Sequence, residues 1–333
     1  MLLWNISMLE LRNPRLRRSE RRRLNYWKSG FKLMLLLFGM SGAQTAPAAG
    51  VEEKSGLSLV ASTSFIGELC ETLAGDDAHI RVLMSRGVNP HSYQPSPGDL
   101  AAIEDADLVF VNGLGLEHQL RNVLPDDVRL IDISKDVDAL TAHDDHDDEH
   151  GGFNPHLWFS PRNMMAAIRI MRDSLSNVDP ENNEIYRARE EEYSQRLGLL
   201  DARIREATME LDEESRRLVT DHPFMDYYAR DYDFEIVGHI VDSISDQAEP
   251  SALEISKLVN LLREEDIGAI FIGDSAGRAM KSLAETVVVE SGRNIRIVEL
   301  LSGSLAPIGR RGSNYFDFII YNTELIVEAI GGE

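Results

Sequence analysis

Three histidines sit where the chain changes course. His91 lies in Asn89-Pro-His-Ser-Tyr-Gln-Pro-Ser-Pro97, where three prolines disfavour helix and mark a loop. His156 lies in Asn154-Pro-His-Leu-Trp158, and His222 in Thr220-Asp-His-Pro-Phe224, where a strand gives way to a helix. Imidazole is a borderline ligand suited to zinc and its neighbours, whereas oxygen-rich sets suit manganese, magnesium or calcium. Three neutral imidazoles can fill three corners of a zinc tetrahedron and leave the fourth to a carboxylate, another histidine or water. The gaps of 65 and 66 residues mean that nothing local forces these side chains together. Any one of them alone reads as a hydrogen-bonded loop histidine. The recurrence of Asn-Pro-His, both times at a strand-to-loop transition, favours a shared role. Binding through such a set weakens as pH falls through the histidine range, because protonated imidazole cannot ligate.

A second collection of donors lies in His143–His150, which holds His143, His146 and His150 with five acidic residues. Histidine-rich tracts of this kind bind metal, so the tract reads either as a weak collector of cations near the deeper site or as a solvated linker. A hydrolytic zinc enzyme would also present three histidines and an open position. It would need a general acid or base beside the metal-bound water, and no His-Glu-x-x-His or similar compact motif is present. The expectation is therefore no enzyme.

The elements that must position these residues alternate. Strand runs are expected at Leu57–Ser62, His79–Met84, Leu108–Val111 and Arg129–Ile133, with helices at Phe65–Leu73 and Asp99–Ala106 between them. Residues 141–152 break the pattern as a polar segment that cannot bury itself and is expected to be a mobile loop. From Pro180 to Leu211 there is no further proline and only Gly198, and Ile185, Tyr193, Leu197, Leu200, Ile204 and Met209 recur at near-helical spacing. One linking helix of roughly 30 residues is expected there. Alternation then resumes with strands at 218–220, 235–240, 267–272 and 295–300 and helices at 223–232, 250–264, 276–291 and 315–330. The fold class is α/β, with two parallel-sheet lobes at 51–179 and 212–333 joined by the helix at 180–211. Ligands in such architectures sit beyond strand ends and between lobes.

Residues 1–43 read as an export signal: nine basic residues against two acidic ones, the apolar run Leu33–Met40, then small residues. The run is too short to span a bilayer, which needs ~20 apolar residues. Without those 43 residues the net charge moves from −22 to −29. So acidic a surface repels nucleic acid and favours cations. No cysteine follows the apolar run to carry a lipid. The lone Cys70, in an apolar-periodic helix, reads as core packing and rules out an internal disulfide.

Several runs together resemble the TroA-like metal receptors of bacterial ABC importers, in particular the zinc-specific periplasmic branch. They are residues 89–99, Asp107-Leu-Val-Phe-Val-Asn-Gly-Leu-Gly-Leu-Glu117, the tract leading into Asn-Pro-His-Leu-Trp, residues 220–228 and Gln247-Ala-Glu-Pro-Ser251. The resemblance runs from Leu57 to Ile330. It implies a periplasmic, monomeric receptor with Zn2+ in the interlobe cleft, held by His91, His156 and His222 and delivered to a membrane permease. A histidine at the third position implies zinc rather than manganese. Manganese, or a zinc chaperone or adhesion role on the same scaffold, is the alternative. The family usually offers an aspartate in the last strand-to-loop segment, but here that segment is Leu300-Leu-Ser-Gly-Ser-Leu305, with Gly303 at that place. The fourth ligand is then water, Asp274, Glu299 or a tract histidine.

Overall fold

The computed structural model describes residues 56–125, 128–141, 152–244 and 249–331. Residues 1–43, expected as an export signal, and the tract His143–His150 lie outside the described residues. Two sheets are present among them. Ser58–Thr63 (β1), His79–Met84 (β2), Leu108–Val111 (β3) and Leu130–Asp132 (β4) pair in the order β2-β1-β3-β4, all parallel. Arg217–Thr220 (β5), Glu235–His239 (β6), Ala269–Gly273 (β7) and Arg296–Leu300 (β8) repeat that order as β6-β5-β7-β8, again all parallel. Parallel strands are covered on both faces, so they read as continuous apolar runs; Ala269-Ile-Phe-Ile-Gly273 is buried along its whole length. In each lobe the chain leaves the first strand to one side and later returns to the other. β1 and β5 therefore sit at switch points, where the loops beyond the strand ends diverge and leave a crevice.

The helices are Ser64–Ala74 (α1), Pro97–Glu104 (α2), His118–Arg121 (α3), Pro161–Val178 (α4), Asn183–Met209 (α5), Asp226–Asp231 (α6), Ala252–Glu264 (α7), Arg278–Ser291 (α8) and Tyr315–Ile330 (α9). Local chemistry sets their starts. Ser96 and Asp99 form a capping box on α2, with Pro97 at its first turn, and Ser251 and Glu254 do the same for α7. The sequence predicts no element between the acidic tract and Pro180, yet α4 forms there. Ser160 caps it by accepting the Asn163 N–H, and Met164, Ala167, Ile168, Met171 and Leu175 make its buried stripe.

The long helix α5 has 27 residues, hence about 40 Å at 1.5 Å per residue. It begins after a 3-10 turn at Pro180–Asn182 rather than at the proline itself. Its buried side is Tyr186, Tyr193, Leu197, Leu200, Ile204 and Thr208. Ile185 and Met209, expected on that stripe, are instead 46% and 66% exposed. Their neighbours Tyr186 and Thr208 are buried at the same ends, so Ile185 and Met209 lie on the outward face of the helix.

The main core is shared by both lobes. Leu59, Phe65 and Phe110 from the first sheet and α1, Leu197 and Leu200 from α5, Phe271 and Leu300 from the second sheet, and Phe318 from α9 belong to one buried cluster. Smaller clusters line the other face of each sheet, one around Val60, Ile103 and Val109, the other around Val219, Leu258, Ile270 and Val287. Apolar continuity of this kind opposes movement of one lobe against the other, because separation would expose the shared surface to water.

Candidate metal centre

The two Asn-Pro-His runs fold alike. In each, the asparagine side chain turns back to accept the backbone N–H of the histidine two residues on, at 2.9 Å for Asn89 and His91 and 3.0 Å for Asn154 and His156. This is the local turn that asparagine makes with its own backbone, and the intervening proline presets the chain for it. The sequence repeat is thus a repeated device for presenting an imidazole. His222 is held by a neighbour instead: Asp221 Oδ1 accepts its N–H at 3.0 Å, and Thr220 Oγ1 donates to its carbonyl at 2.8 Å.

These three side chains, 65 and 66 residues apart, converge. One ring nitrogen from each lies within 4.8 Å of the other two. His156 Nε2 is 2.9 Å from His91 Nε2 and 3.3 Å from His222 Nε2. Two nitrogens bound to one tetrahedral zinc at 2.0–2.1 Å stand about 3.3 Å apart, so the spacing suits a single ion. The opposite edges of two rings are engaged. Asn154 Oδ1 is 2.8 Å from His156 Nδ1, and Asp221 Oδ1 is 3.0 Å from His222 Nδ1. An oxygen that can only accept fixes the proton on Nδ1 and leaves the Nε2 lone pair for a cation.

The surroundings exclude water from the two inner rings and keep His156 neutral. His156 and His222 are each 1% exposed, and His91 forms the half-buried side of the group. The Trp158 ring stands edge-on to His156 at 5.3 Å, and Phe224 lies 5.1 Å from His222. Burial, and then the neighbouring His222 and His91, hold the His156 imidazole well below its usual range. A ring that does not take a proton is available as a ligand without first releasing one.

Further residues hold the loops in place. Asn154 Nδ2 donates to the Pro223 carbonyl at 2.6 Å and to Asp226 Oδ2 at 3.1 Å, tying the His156 loop to the one after His222. Asn112 Nδ2 donates to the Pro155 carbonyl at 2.9 Å. The Asn112 backbone N–H is in turn taken by Glu117 Oε1 at 2.7 Å, and the Glu117 carboxylate also accepts from Ser62 and Gly113. Asp221 Oδ2 accepts the Gly273 N–H at 3.2 Å, anchoring the His222 support to the end of β7. Reading the sequence for ligands alone passes over Asn89, Asn154, Asp221 and Asn112. The available signals are the asparagine two residues before each loop histidine and the carboxylate directly before His222.

The two described residues expected as alternative fourth ligands are occupied elsewhere. Asp274 Oδ1 accepts the Ser302 N–H at 2.9 Å and its hydroxyl at 3.1 Å, and burial raises its carboxyl above the usual range. Glu299 pairs with Lys281 on the exposed side of β8. Neither joins the three-histidine group, and among the described residues no other cluster of metal donors is present. Gly303 contributes no side-chain donor. His143, His146 and His150 lie outside the described residues.

A family model described as ZnuA, zinc-uptake complex component A periplasmic, matches residues 59–329. The manganese-binding lipoprotein MntA of Halalkalibacterium halodurans is 30% identical over 302 residues, covering 90% of this chain and 97% of that protein. The zinc-binding protein TroA of Treponema pallidum is 29% identical over 276 residues, covering 82% of this chain and 88% of that protein. The solved structure of the periplasmic zinc-binding TroA from Treponema pallidum superposes with a TM-score of 0.74 at 27% identity, covering 83% of this chain and 99% of that one.

Proposed function

This chain belongs to the family of periplasmic zinc-uptake components, whose members are binding receptors and not enzymes, and we infer that it captures Zn2+ outside the cytoplasm and hands it to the membrane permease of an ABC importer. The observation that carries the reading is the convergence of three Nε2 atoms, two of them with Nδ1 already engaged. In this reading His91, His156 and His222 are the ligands, and the fourth position falls to water or to a donor outside the described residues.

The choice of zinc over manganese rests on donor chemistry. An all-nitrogen set suits a borderline ion, whereas manganese is served by carboxylate and carbonyl oxygen. No carboxylate joins the three imidazoles in the donor group among the described residues, since Asp221 meets His222 on the opposite ring edge. The manganese-binding name of the Halalkalibacterium relative favours the second reading, a manganese receptor on the same scaffold. Release into the periplasm through the segment 1–43, without a lipid, is supported by the chain's single cysteine, Cys70, which is fully buried in α1. That burial also raises the Cys70 thiol far above its usual range, so it is not a nucleophile.

Metal analysis of the purified protein, followed by competition between Zn2+ and Mn2+, tests the assignment. The expected result is one zinc per chain that excess manganese does not displace. Tighter binding of manganese would overturn the zinc reading and leave the receptor reading standing.

A further inference from the structure

Gly303 has an ordinary backbone conformation and is absent from the residues with positive φ, so no turn demands glycine there. What demands it is space. A Cβ on its backbone would fall 2.6 Å from Pro90 Cδ, 3.4 Å from Pro90 Cγ and 3.6 Å from Ser275 Oγ. A Cβ essentially never comes within 3.0 Å of a heavy atom outside its own residue and chain neighbours. The obstructing Cδ is not the free end of a flexible side chain. It belongs to a ring closed on the backbone.

Both partners in this approach are pinned. Pro90 is buried, precedes His91 and opens the 3-10 turn that Asn89 caps. On the other side, the Ser302 carbonyl accepts the Trp158 indole N–H at 2.8 Å, and Asp274 holds the Ser302 N–H and hydroxyl. Ser304 Oγ accepts the Gly87 N–H at 2.8 Å. The loop after β8 therefore cannot retreat without breaking bonds on either side of Gly303, and the Pro90 turn cannot shift without carrying His91 along.

We propose that Gly303 is a positioning residue for metal capture: its bare backbone seats Pro90 and so sets how far His91 reaches toward His156 and His222. This rests on the receptor reading and adds to it. A methyl group at 303 lifts the Pro90–Ser92 turn and draws His91 Nε2 away from a partner that it now meets at 2.9 Å. The same contact leaves no room for a carboxylate at 303 while Pro90 is seated.

The test is a Zn2+ competition titration on the purified protein and four variants, with melting of each metal-free form. Gly303→Ala is expected to weaken zinc binding about tenfold or more, through faster release, since overpacking and affinity scale this way. Pro90→Ala serves as the reference for its own background, and adding Gly303→Ala to it should cost less than about threefold further, because the obstructing ring atoms are gone. If Gly303→Ala does not fold, the double variant carries the test. Gly303→Ala binding like the parent, an equal loss from Gly303→Ala with Pro90 present or replaced, or a Gly303→Asp that binds zinc more tightly would each overturn the positioning role. His91→Ala reports on the receptor reading separately. Loss of zinc there, with Gly303→Ala unchanged, sinks only the positioning role; a parent that binds no zinc sinks the receptor reading.

Discussion

Asn154 holds His156 twice: its Oδ1 accepts the histidine's backbone N–H at 3.0 Å and lies 2.8 Å from the same residue's ring Nδ1. One side-chain oxygen thus fixes both where the loop turns and which ring nitrogen faces the cleft. The amide nitrogen of the same side chain is spent on the Pro223 carbonyl, one residue beyond His222. The two most buried histidines are thereby registered to each other through a single residue.

Replacement of Asn154 by alanine removes all of these contacts at once. Partners that orient a metal-bound histidine are worth about 10–100-fold in affinity, so Asn154→Ala should weaken zinc binding by that order in a chelator competition. It also leaves the buried Pro223 carbonyl without this donor. The metal-free protein should then lose about 1–3 kcal/mol in urea unfolding. A variant that loses stability but keeps parental zinc affinity would show that Asn154 supports only the loop.

Asp221 plays the corresponding part for His222, and its second oxygen takes the Gly273 N–H. Asp221→Asn keeps the shape but converts one acceptor into a donor, which must then face either the ring Nδ1–H or the Gly273 N–H. It also removes the carboxylate that meets the His222 ring. Zinc affinity should fall about 10–100-fold, as for other partners of ligating histidines. Retention of parental affinity in the same titration would exclude an orienting role for this carboxylate.

Some of this architecture is legible in the chain and some is not, for physical reasons. The strand Leu108–Val111 forms at its expected limits, because an interior parallel strand covered on both faces leaves an apolar run with sharp ends. The edge strand His79–Met84 also forms at its limits, with burial that alternates along most of its length. The extent of α5 is readable from the lack of breakers, but its buried side is not. Tyr186 faces inward while Ile185 faces out, and Glu190 is buried against Arg172 at 2.9 Å. Burial of a charge by pairing leaves no trace in a hydrophobic pattern. At the site, each Asn-Pro-His run announces a local turn, whereas convergence across 65 and 66 residues is set by two sheets and a shared core. The glycine at 303 reads from sequence only as a missing donor; its contact with Pro90 exists only in three dimensions.

Arg86 gives a further tie between the lobes. Its Nη1 donates to the Ala306 carbonyl at 3.0 Å and the Ser313 carbonyl at 2.6 Å, bridging the loop after β2 to the loop before α9. Its charge also offsets part of the burial that raises the nearby Glu68 carboxyl. Arg86→Ala should cost about 1–3 kcal/mol, since it leaves two carbonyls without this donor. In a chain of this size that is a fall of a few degrees in metal-free melting temperature, at roughly 2–4 °C per kcal/mol. An unchanged melting temperature would show that water replaces the guanidinium at no cost.

The buried His156 ring makes stability depend on pH in a definite sense. In the unfolded chain a histidine takes up a proton near pH 6.5. In the folded protein burial, followed by His222 and His91, keeps this ring neutral to well below that value. Below about pH 6.5 the unfolded state therefore binds a proton that the native state refuses, and acidification favours unfolding. The contribution is absent above that pH and grows as pH falls toward the depressed folded value, by at most about 1.4 kcal/mol per pH unit for one site. Urea unfolding of the metal-free protein between pH 8 and pH 5 should show stability falling on the acid side, with a shallower slope for His156→Gln. Equal slopes would mean that His156 does not resist protonation in the folded chain, and the neutral, ready-to-ligate ring would have to be abandoned.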